Sequence, residues 1–238
     1  MKTLTLTLTS PEYNLACDEV LLDQCEEGGD ECLRFWESDR PFVVLGYANR
    51  IHQEVNFHSC RVLGIPILRR RSGGGTVLQQ PGCLNFALVL RIHEDGPTRS
   101  IVSTNVHVME TQACAVRSLL GVGVKVQGFT DLTLDGRKFS GNAQRRKRKA
   151  LLFHGTFLFK ADLSLISQVL PPPSKQPAYR KDRPHEEFLK NLPLEADRLR
   201  EAVCKAWLAN EPAPMPPMDR LDALVRNTYG DEAWTRKF

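Results

Sequence analysis

"RRRSGGGTVLQQPGCLNFALVL", residues 69–90, places three consecutive glycines between three arginines and an apolar run that is typical of a buried strand. A tight turn between two strands is one explanation, and Ser72-Gly73 alone would supply it. Three glycines beside three arginines point to a second explanation. Backbone that carries no side chains lets an elongated anionic ligand lie against it, so the stretch predicts a ligand loop that leads into a strand.

Composition narrows the class of protein. The chain has 238 residues, 25% of them charged, and a net charge of +4, which excludes disordered, collagen-like and coiled-coil classes. Seven cysteines form no CxxC pair and no zinc spacing, so we expect reduced, mostly buried thiols. The first ten residues alternate Thr with Leu like a strand and unlike a signal peptide. We therefore expect a cytoplasmic protein that does not interact with a membrane.

The order of elements predicts an α+β fold. Residues 10–28 have a capping Ser, Pro at the first helical position and a Gly stop, which predicts an amphipathic helix. "CLRFWES" and "PFVVLGY" are predicted to form a strand pair joined by the turn "SDRP". Further strands are predicted at 65–69, 84–91, 122–126, 132–134, 138–144 and 151–159, and a helix at 104–120. Short turns and segregated helices favour a mixed, largely antiparallel sheet core with flanking helices.

The later part of the chain is richer in proline. Residues 171–193 hold six prolines and many charges, which predicts a surface loop, and a helix is expected at 195–208. A second proline-rich tract, 211–218, leads into a short terminal helix. We expect a main domain at 1–210, followed at 211–238 by a proline-rich linker and a short helix rather than a full accessory domain.

Residues 128–159, "GFTDLTLDGRKFSGNAQRRKRKALLFHGTFLF", carry the second chemical signal. Asp135-Gly136 is a favoured two-residue hairpin loop, and it places Lys138 at the start of the returning strand. A lysine there suits a phosphate or an oxyanion, although a solvated hairpin lysine is the alternative. Small residues follow at Ser140 and Gly141. Gly155, inside an apolar strand, often marks close approach by a ligand or backbone.

"RRRSGGGTV" followed by "DGRKFSGNAQ…HGT" resembles the lipoate-protein ligase family, within the biotin and lipoate attachment enzymes. The similarity runs from about residue 15 to residue 158, and "YGDEAW" resembles the end of shorter members. The resemblance implies a ligase-like catalytic domain at 1–210. It also implies two steps: lipoate or octanoate reacts with ATP and Mg²⁺ to give acyl-AMP, and the acyl group then passes to a lysine. The implied acceptors are lipoyl domains of 2-oxoacid dehydrogenases or a glycine cleavage H-type protein.

The resemblance also assigns site residues. Lys138 is the implied catalytic residue, because its charge would screen the repulsion between a carboxylate and the α-phosphate. The three glycines would accommodate the acyl-adenylate, Arg70 would hold its polar end, and Asp131 would orient the nucleotide or Mg²⁺. The full expected substrate- and nucleotide-binding set is Arg70, Ser72, Gly73, Gly74, Gly75, Thr76, Asn85, Asp131, Ser140, Gly141, His154, Gly155 and Thr156.

The chain departs from the family pattern in two places and in length. Ligases commonly have His-Asp where this chain has Gln79-Gln80, and Asn where it has Cys83. Many ligases also carry an accessory domain or use a separate subunit, so a partner subunit is a further expectation. The family's relatives include ATP-independent octanoyltransferases and amidotransferases, which use a cysteine shortly before the lysine hairpin. No cysteine lies between Cys114 and Cys204, which favours the ligase and leaves Cys83 as the candidate thiol.

A third hypothesis is a non-catalytic homologue that holds an acyl group or a lipoyl domain. The retained lysine and glycines argue against it. The basic run, "RRKRK" at 145–149, is by default a solvated loop. It could also steer an acidic acceptor domain. The low net charge and the lack of interleaved aromatics argue against nucleic acid, which we do not expect as a partner.

Overall fold

The computed structural model describes residues 1–121 and 123–238. Its strands are β1 Lys2–Thr5, β2 Cys32–Glu37, β3 Phe42–Leu45, β4 Ile67–Arg69, β5 Val77–Gln79, β6 Cys83–Arg91, β7 Val124–Gln127, β8 Asp131–Leu134, β9 Arg137–Arg146, β10 Ala150–Leu158 and β11 Glu211–Pro212. Its helices are α1 Pro11–Glu26, α2 Ile51–Glu54, α3 Phe57–Val62, α4 Ile101–Leu120, α5 Leu163–Val169, α6 His185–Phe188, α7 Ala196–Ala206, α8 Met218–Leu224 and α9 Glu232–Thr235.

Two sheets organise the described part of the chain. The large sheet has eight strands in the order β11-β1-β2-β6-β10-β9-β8-β7, and the small one has the order β4-β3-β5. In the large sheet β1 is parallel to β2 and β11, and the other pairs are antiparallel. The predicted α+β fold with a mixed, largely antiparallel core is confirmed.

Helices cover both faces of the large sheet. The α1 helix begins as predicted, with Ser10 as N-cap and Pro11 in the first turn, and it packs with β6 and β10 around residues such as Leu22. On the opposite face α4 and α7 pack over the phenylalanines of β6 and β10. The α4 helix starts at Ile101, three residues before the predicted start, because Ser100 and Ser103 form a reciprocal cap.

The predicted pairing of "CLRFWES" with "PFVVLGY" is wrong. β2 lies between β1 and β6 in the large sheet, whereas β3 lies between β4 and β5 in the small sheet. The intervening turn carries the chain from one sheet to the other. Both strands are buried almost throughout, so no alternation of polar and apolar residues specifies which neighbour each strand takes.

Other predicted boundaries need smaller changes. The strand expected at 122–126 begins at Val124, and Val122 lies outside the described residues. The stretch 171–193 contains a 3₁₀ turn and α6, and it packs against the lysine hairpin, where the Lys190 amide donates to the Lys138 carbonyl at 2.9 Å. Within residues 1–121 and 123–238, no helix has the length and apolar character that crossing a bilayer requires.

Residues 211–238 pack back onto both sheets. β11 pairs with β1, and Leu221 and Tyr229 are buried beside α1. The Trp234 indole donates to the Arg69 carbonyl at 2.8 Å, and the Arg69 guanidinium donates to the Thr235 carbonyl at 3.0 Å. This stretch therefore supports the segment that precedes the three glycines.

Candidate functional site

Four strands of the large sheet carry a row of polar and small residues across one face. In register, Asn85 of β6 lies beside Thr156 of β10, Thr156 beside Gly141 of β9, and Gly141 beside Asp131 of β8. Laterally paired residues of neighbouring strands project to the same side of the sheet. We call these four residues the polar row. The fold thus brings together residues from three separate sequence stretches that were predicted for the site.

Lys138 joins the polar row because of a β-bulge. The pairing of β8 with β9 shifts between Leu132 and Thr133, so that Leu132 pairs with Ser140 but Thr133 pairs with Lys138. Phe139 is the extra residue, and it is fully buried in the core on the opposite face. Without the bulge, strict alternation would turn Lys138 away from Gly141. The bulge therefore sets the direction of the lysine.

The Lys138 ammonium is fixed by one carboxylate. Its Nζ lies 2.7 Å from Asp131 Oδ1, with 26% and 13% of the two side chains exposed. The Tyr179 hydroxyl donates to the other oxygen of Asp131 at 2.7 Å. Burial, and next the charge of Asp131, raise the pKa of Tyr179, so the phenol keeps its proton and remains a donor. A half-buried cation is thus held at a defined point of the row.

Gly141 makes room for this lysine. A Cβ at Gly141 would lie 2.6 Å from Lys138 Nζ and 2.7 Å from its Cε, so the lysine side chain occupies the space above the glycine. Ser140 and Gly155, also predicted for the site, lie on the opposite face because neighbouring strand residues alternate. There Gly155 leaves space for the Asn142 side chain, which donates to the Thr130 carbonyl at 2.7 Å. These residues support the row from behind.

The glycine loop, residues 70–76, lies over β9. A Cβ at Gly74 would approach Ala143 Cβ to 3.2 Å, and Ala143 is two residues from Gly141 on the same face. Gly74 has φ +86°, which only glycine adopts readily. Gly73 and Gly75 are different, because a Cβ at either would meet nothing within 4 Å. Gly74 thus meets a backbone requirement, and its two neighbours leave open space.

Arg70 holds the glycine loop from inside. Its guanidinium is buried, and Nη2 donates to the carbonyls of Gly73 at 2.7 Å and Gly75 at 2.8 Å. Burial lowers the pKa of Arg70 to about 10, which leaves it charged at neutral pH. We expected this arginine to hold the polar end of a ligand. The structure instead uses its donors on the loop, so it shapes the loop that a ligand would meet.

The other two arginines have separate roles. Arg69 donates to the carbonyls of Gly46, Tyr47 and Asn49 at 2.8–3.0 Å. Arg71 donates to Thr228 Oγ1 at 2.9 Å, and its Nη1 lies 3.6 Å from Glu19 Oε1. Arg69 therefore binds a neighbouring loop, and Arg70 binds the glycine loop. Arg71 binds the 228–238 segment and α1.

Ser72 links the glycine loop to β10. Arg70 Nε donates to Ser72 Oγ at 3.0 Å, and Ser72 Oγ lies 2.6 Å from His154 Nε2. Burial, and next the positive charge of Arg70, lower the pKa of His154 to about 3. The imidazole is therefore neutral, and it suits a hydrogen bond with the serine hydroxyl.

This histidine predicts an acid-sensitive stability. The unfolded chain takes up a proton near pH 6.5 and the folded chain only near pH 3, so the free energy of unfolding falls as the pH drops through that interval. For one such group the fall is about 1.4 kcal/mol between about pH 7.5 and 5.5. Urea unfolding at both pH values should show this loss, and His154→Gln should remove it. An equal loss in both proteins would contradict the assignment.

Gln79 extends the polar row. Its Nε2 donates to Thr156 Oγ1 at 2.8 Å, and Thr156 Oγ1 donates to Asn85 Oδ1 at 2.6 Å. The Asn85 side chain therefore binds within the protein. Thr76, predicted for the site, has a buried hydroxyl for which the described residues provide no hydrogen-bond partner.

The described cysteines lie outside the polar row. Cys83 is fully buried beneath the small sheet, and burial raises the pKa of its thiol to about 12. Cys114 of α4 and Cys204 of α7 are more accessible, but both helices cover the opposite face of the large sheet. The other four cysteines are buried. A thiol of pKa about 12 is poorly suited to nucleophilic catalysis near neutral pH.

Much of the basic run is engaged within the protein. Arg145 pairs with Glu19 and Lys147 with Asp23, both on α1. Arg146 donates to the Thr98 carbonyl at 2.6 Å. Only the last two members of the run, Arg148 and Lys149, are exposed. The run therefore serves mainly to fasten the β9–β10 hairpin to the helices on either side.

The open space at two of the glycines gives a prediction. We expect Gly73→Ala and Gly75→Ala to fold with an unchanged melting temperature, because each methyl group would point into open space. If a ligand lies against this backbone, each variant should lose roughly tenfold or more in its affinity for that ligand. Calorimetric melting and ligand titration measure the two effects separately. Unchanged ligand affinity in both variants would contradict the role of the loop.

One protein-family model matches the part of the chain that contains the residues described above. The family model of the lipoyl protein ligase A/B catalytic domain matches residues 10–206. The chain belongs to this family. The glycine loop, the polar row and Lys138 all fall inside the matched part.

Comparisons with individual proteins agree with the family assignment. A putative lipoate-protein ligase A of Aeropyrum pernix is 28% identical over 200 residues, which cover 84% of this chain and 72% of the relative. The octanoyltransferase LipM of Carboxydothermus hydrogenoformans is 29% identical, over 66% of this chain and 64% of its own length. A crystal structure of lipoate-protein ligase A bound with ATP is 25% identical, with a TM-score of 0.82 and 99% of each chain covered. The chain thus spans only part of these curated relatives.

The structure adds residues to the candidate site that the sequence did not single out. Gly46 packs directly against the Gly74 carbonyl, and Tyr179 holds Asp131. A lone glycine after the buried strand "FVVL" was a usable signal for the first. Tyr179 comes from a proline-rich loop 48 residues beyond Asp131, and nothing in its local sequence points to the site.

Proposed function

We propose that this chain is a lipoate-protein ligase, which activates lipoate or octanoate with ATP and transfers the acyl group to a lysine of a lipoyl domain. The observation that carries the proposal is the position of Lys138. Its ammonium is half-buried, held by Asp131 and set on the polar row beside the glycine loop. Family membership supports it, since relatives named lipoate-protein ligase share this domain.

The first step joins a carboxylate to a nucleotide. A carboxylate oxygen attacks the α-phosphorus of ATP, the bond to the β-phosphate oxygen breaks, and pyrophosphate leaves. Two anions must meet, so a fixed cation lowers the barrier. Lys138 Nζ is that cation, and it can donate to both the carboxylate oxygen and the α-phosphate. The bare backbone at Gly73 and Gly75 gives the mixed anhydride a surface to lie on.

The second step forms the amide. A neutral acceptor lysine attacks the acyl carbon, the carbon–oxygen bond to AMP breaks, and the amine loses a proton. Negative charge develops on the carbonyl oxygen in the transition state, and Lys138 can stabilise it by the same contact. One lysine thus serves both steps.

Mg²⁺ fits this site through the nucleotide. Among the described residues, no group of three or more His, Cys, Asp or Glu side chains is placed to hold a metal ion. Mg²⁺ commonly binds through one or two carboxylates and the substrate phosphates. Asp131 is the carboxylate beside Lys138 and would supply the protein ligand. The ion would neutralise phosphate charge.

An octanoyltransferase that needs no ATP is the second candidate, and the similarity to LipM favours it. That reaction passes through a cysteine thioester and requires an accessible thiol near the lysine. Cys83 is fully buried and has a pKa raised to about 12, and the remaining described cysteines lie in helices or in strands away from Lys138. The arrangement of thiols therefore supports the adenylating ligase.

The proposal extends to partners. The acceptor would be a lipoyl domain of a 2-oxoacid dehydrogenase or an H-type protein of glycine cleavage. A separate accessory subunit is also proposed, because a relative from Thermoplasma acidophilum is named subunit 1 of a lipoate-protein ligase A. We place the reaction in the cytoplasm.

Intact mass of a purified apo-lipoyl domain tests the function. One tube contains the protein, lipoate, ATP and Mg²⁺, and the second contains octanoyl-carrier protein without ATP. We expect the lipoyl mass increase only in the first tube. Product only in the second would replace the ligase by a transferase, and Cys83→Ser would then be the first variant to measure. Product in neither tube, but transfer from acyl-AMP that is supplied directly, would indicate that the activating step lacks its accessory subunit.

A further inference from the structure

An exposed aromatic side chain lies close in sequence to Asp131, the carboxylate that holds Lys138. Phe129 is 90% exposed, the highest value among the exposed large hydrophobic residues described. It lies two residues before Asp131, in the turn that joins β7 to β8. Exposed aromatic rings that lose their water on binding are common anchors of protein interfaces.

The turn that carries Phe129 is held on both sides. Thr130 Oγ1 donates to the Asn142 carbonyl at 2.7 Å, and Asn142 Nδ2 donates to the Thr130 carbonyl at 2.7 Å. On the other side, a Cβ at Gly128 would lie 3.5 Å from the Tyr179 ring and 3.6 Å from Pro177. The ring of Phe129 is therefore presented from a fixed backbone, and little backbone ordering is needed when a partner binds.

An exposed cation lies on the same side of the sheet as the reactive lysine. Lys125 of β7 pairs with Thr133, and Thr133 is two residues from Asp131, so the three share one face. Lys125 is exposed, and no residue of 1–121 or 123–238 forms an ion pair with it. β7 is also the last strand in the described order of the large sheet. An exposed aromatic ring and an exposed positive charge thus lie on the turn and the strand next to β8, which carries Asp131.

We propose that Phe129 and Lys125 form the docking surface for the acceptor protein, and this proposal rests on the proposed function. A protein whose lysine receives the acyl group must cover the surface next to Lys138, since an amine attacks only from within bonding distance. Phe129 would pack against an apolar side chain beside the target lysine. Lys125 would face an acidic side chain of the acceptor. The partner is thus a small folded domain with an apolar and acidic surface around one exposed lysine.

Two measurements on the same proteins separate docking from chemistry. Lipoate-dependent exchange of pyrophosphate into ATP reports the first step without an acceptor. Transfer to an apo-lipoyl domain, followed against the concentration of that domain, gives the KM for the acceptor. We expect Phe129→Ala to raise that KM about tenfold and to leave the exchange rate and the KM for ATP unchanged. Phe129→Leu, which keeps an apolar side chain, should recover most of the loss.

Two further variants complete the design. Val102→Ala also truncates an exposed apolar residue, 72% exposed on α4, and is expected to change neither measurement. Lys125→Glu should raise the acceptor KM and make it less sensitive to salt. An unchanged acceptor KM in Phe129→Ala would overturn the proposal, as would an equal rise in Val102→Ala. A raised KM for ATP in the exchange reaction would assign Phe129 to the nucleotide instead. Absence of transfer in the unmodified protein, even from acyl-AMP that is supplied directly, would refute the function itself.

Discussion

Lys138→Ala is expected to lower the rate of acyl-adenylate formation roughly 10²- to 10³-fold, because the only contact proposed to stabilise both anions is removed. Stability should change little. The ion pair with Asp131 is partly solvated, with 26% of the lysine side chain exposed, and Asp131 keeps its bond from Tyr179. We expect the free energy of unfolding to stay within about 1 kcal/mol of the original. Pyrophosphate exchange and urea unfolding measure the two effects.

Lys190→Ala is the matched control for this prediction. Lys190 lies 2.6 Å from Asp135, at the turn of the same hairpin, and 28% of its side chain is exposed. Its removal deletes a similar ion pair and the same charge, so it should leave exchange nearly intact. Full activity in Lys138→Ala would refute the proposed role of Lys138 in both steps. A large loss in both variants would mean that the overall charge matters and the position of Lys138 does not.

Gly46→Ala is expected to reduce the free energy of unfolding by about 3 kcal/mol and to abolish activity. A methyl group at Gly46 would overlap the Gly74 carbonyl and the Asn49 side chain. Neither backbone can yield easily, because Arg69 binds the Gly46 carbonyl at 3.0 Å and Arg70 binds the carbonyls on both sides of Gly74. The clash must therefore displace the glycine loop. Denaturant unfolding and acyl transfer should both report the damage.

The control for this prediction lies within the glycine loop. Gly73→Ala adds the same methyl group at a position with nothing within 4 Å, so its unfolding midpoint should not move. If Gly46→Ala unfolds like the original protein, the loop and the 46–49 segment do not depend on each other as described. Retained stability with lost activity would show that the loop shifts without loosening the fold.

The lysine hairpin could be predicted from sequence because its signal is local. Asp135 and Gly136 have φ of +54° and +71°, which are the values that a two-residue turn of this type requires. The bulge at Phe139 could not be predicted, since it depends on a core position for that ring. Lys138 was therefore placed on the correct strand, but the face it occupies follows from packing.

The strand partners and the separate roles of the arginines could not be predicted from the sequence, for a related reason. β2 and β3 are both buried almost throughout, so their burial fits either sheet. Arg69, Arg70 and Arg71 are consecutive and identical, and only the hydrogen-bond acceptors around each one distinguish them. Ser140 and Gly155 were assigned to the site by motif, whereas alternation along β9 and β10 places them on the far side. A motif can identify a segment of the site, but the pairing of strands determines which side chains lie on the same face.

The supports of the glycine loop are far apart along the chain. Arg69 and Thr235 are 166 residues apart, and Arg71 and Thr228 are 157 residues apart. Contacts between such distant residues close late in folding, because large chain loops must first be ordered. On a ribosome, the arginines emerge long before residues 228–235 are synthesised. A nascent chain would therefore hold much of its sheet while the loop still lacks these supports, and adenylating activity would appear only when translation has passed this segment.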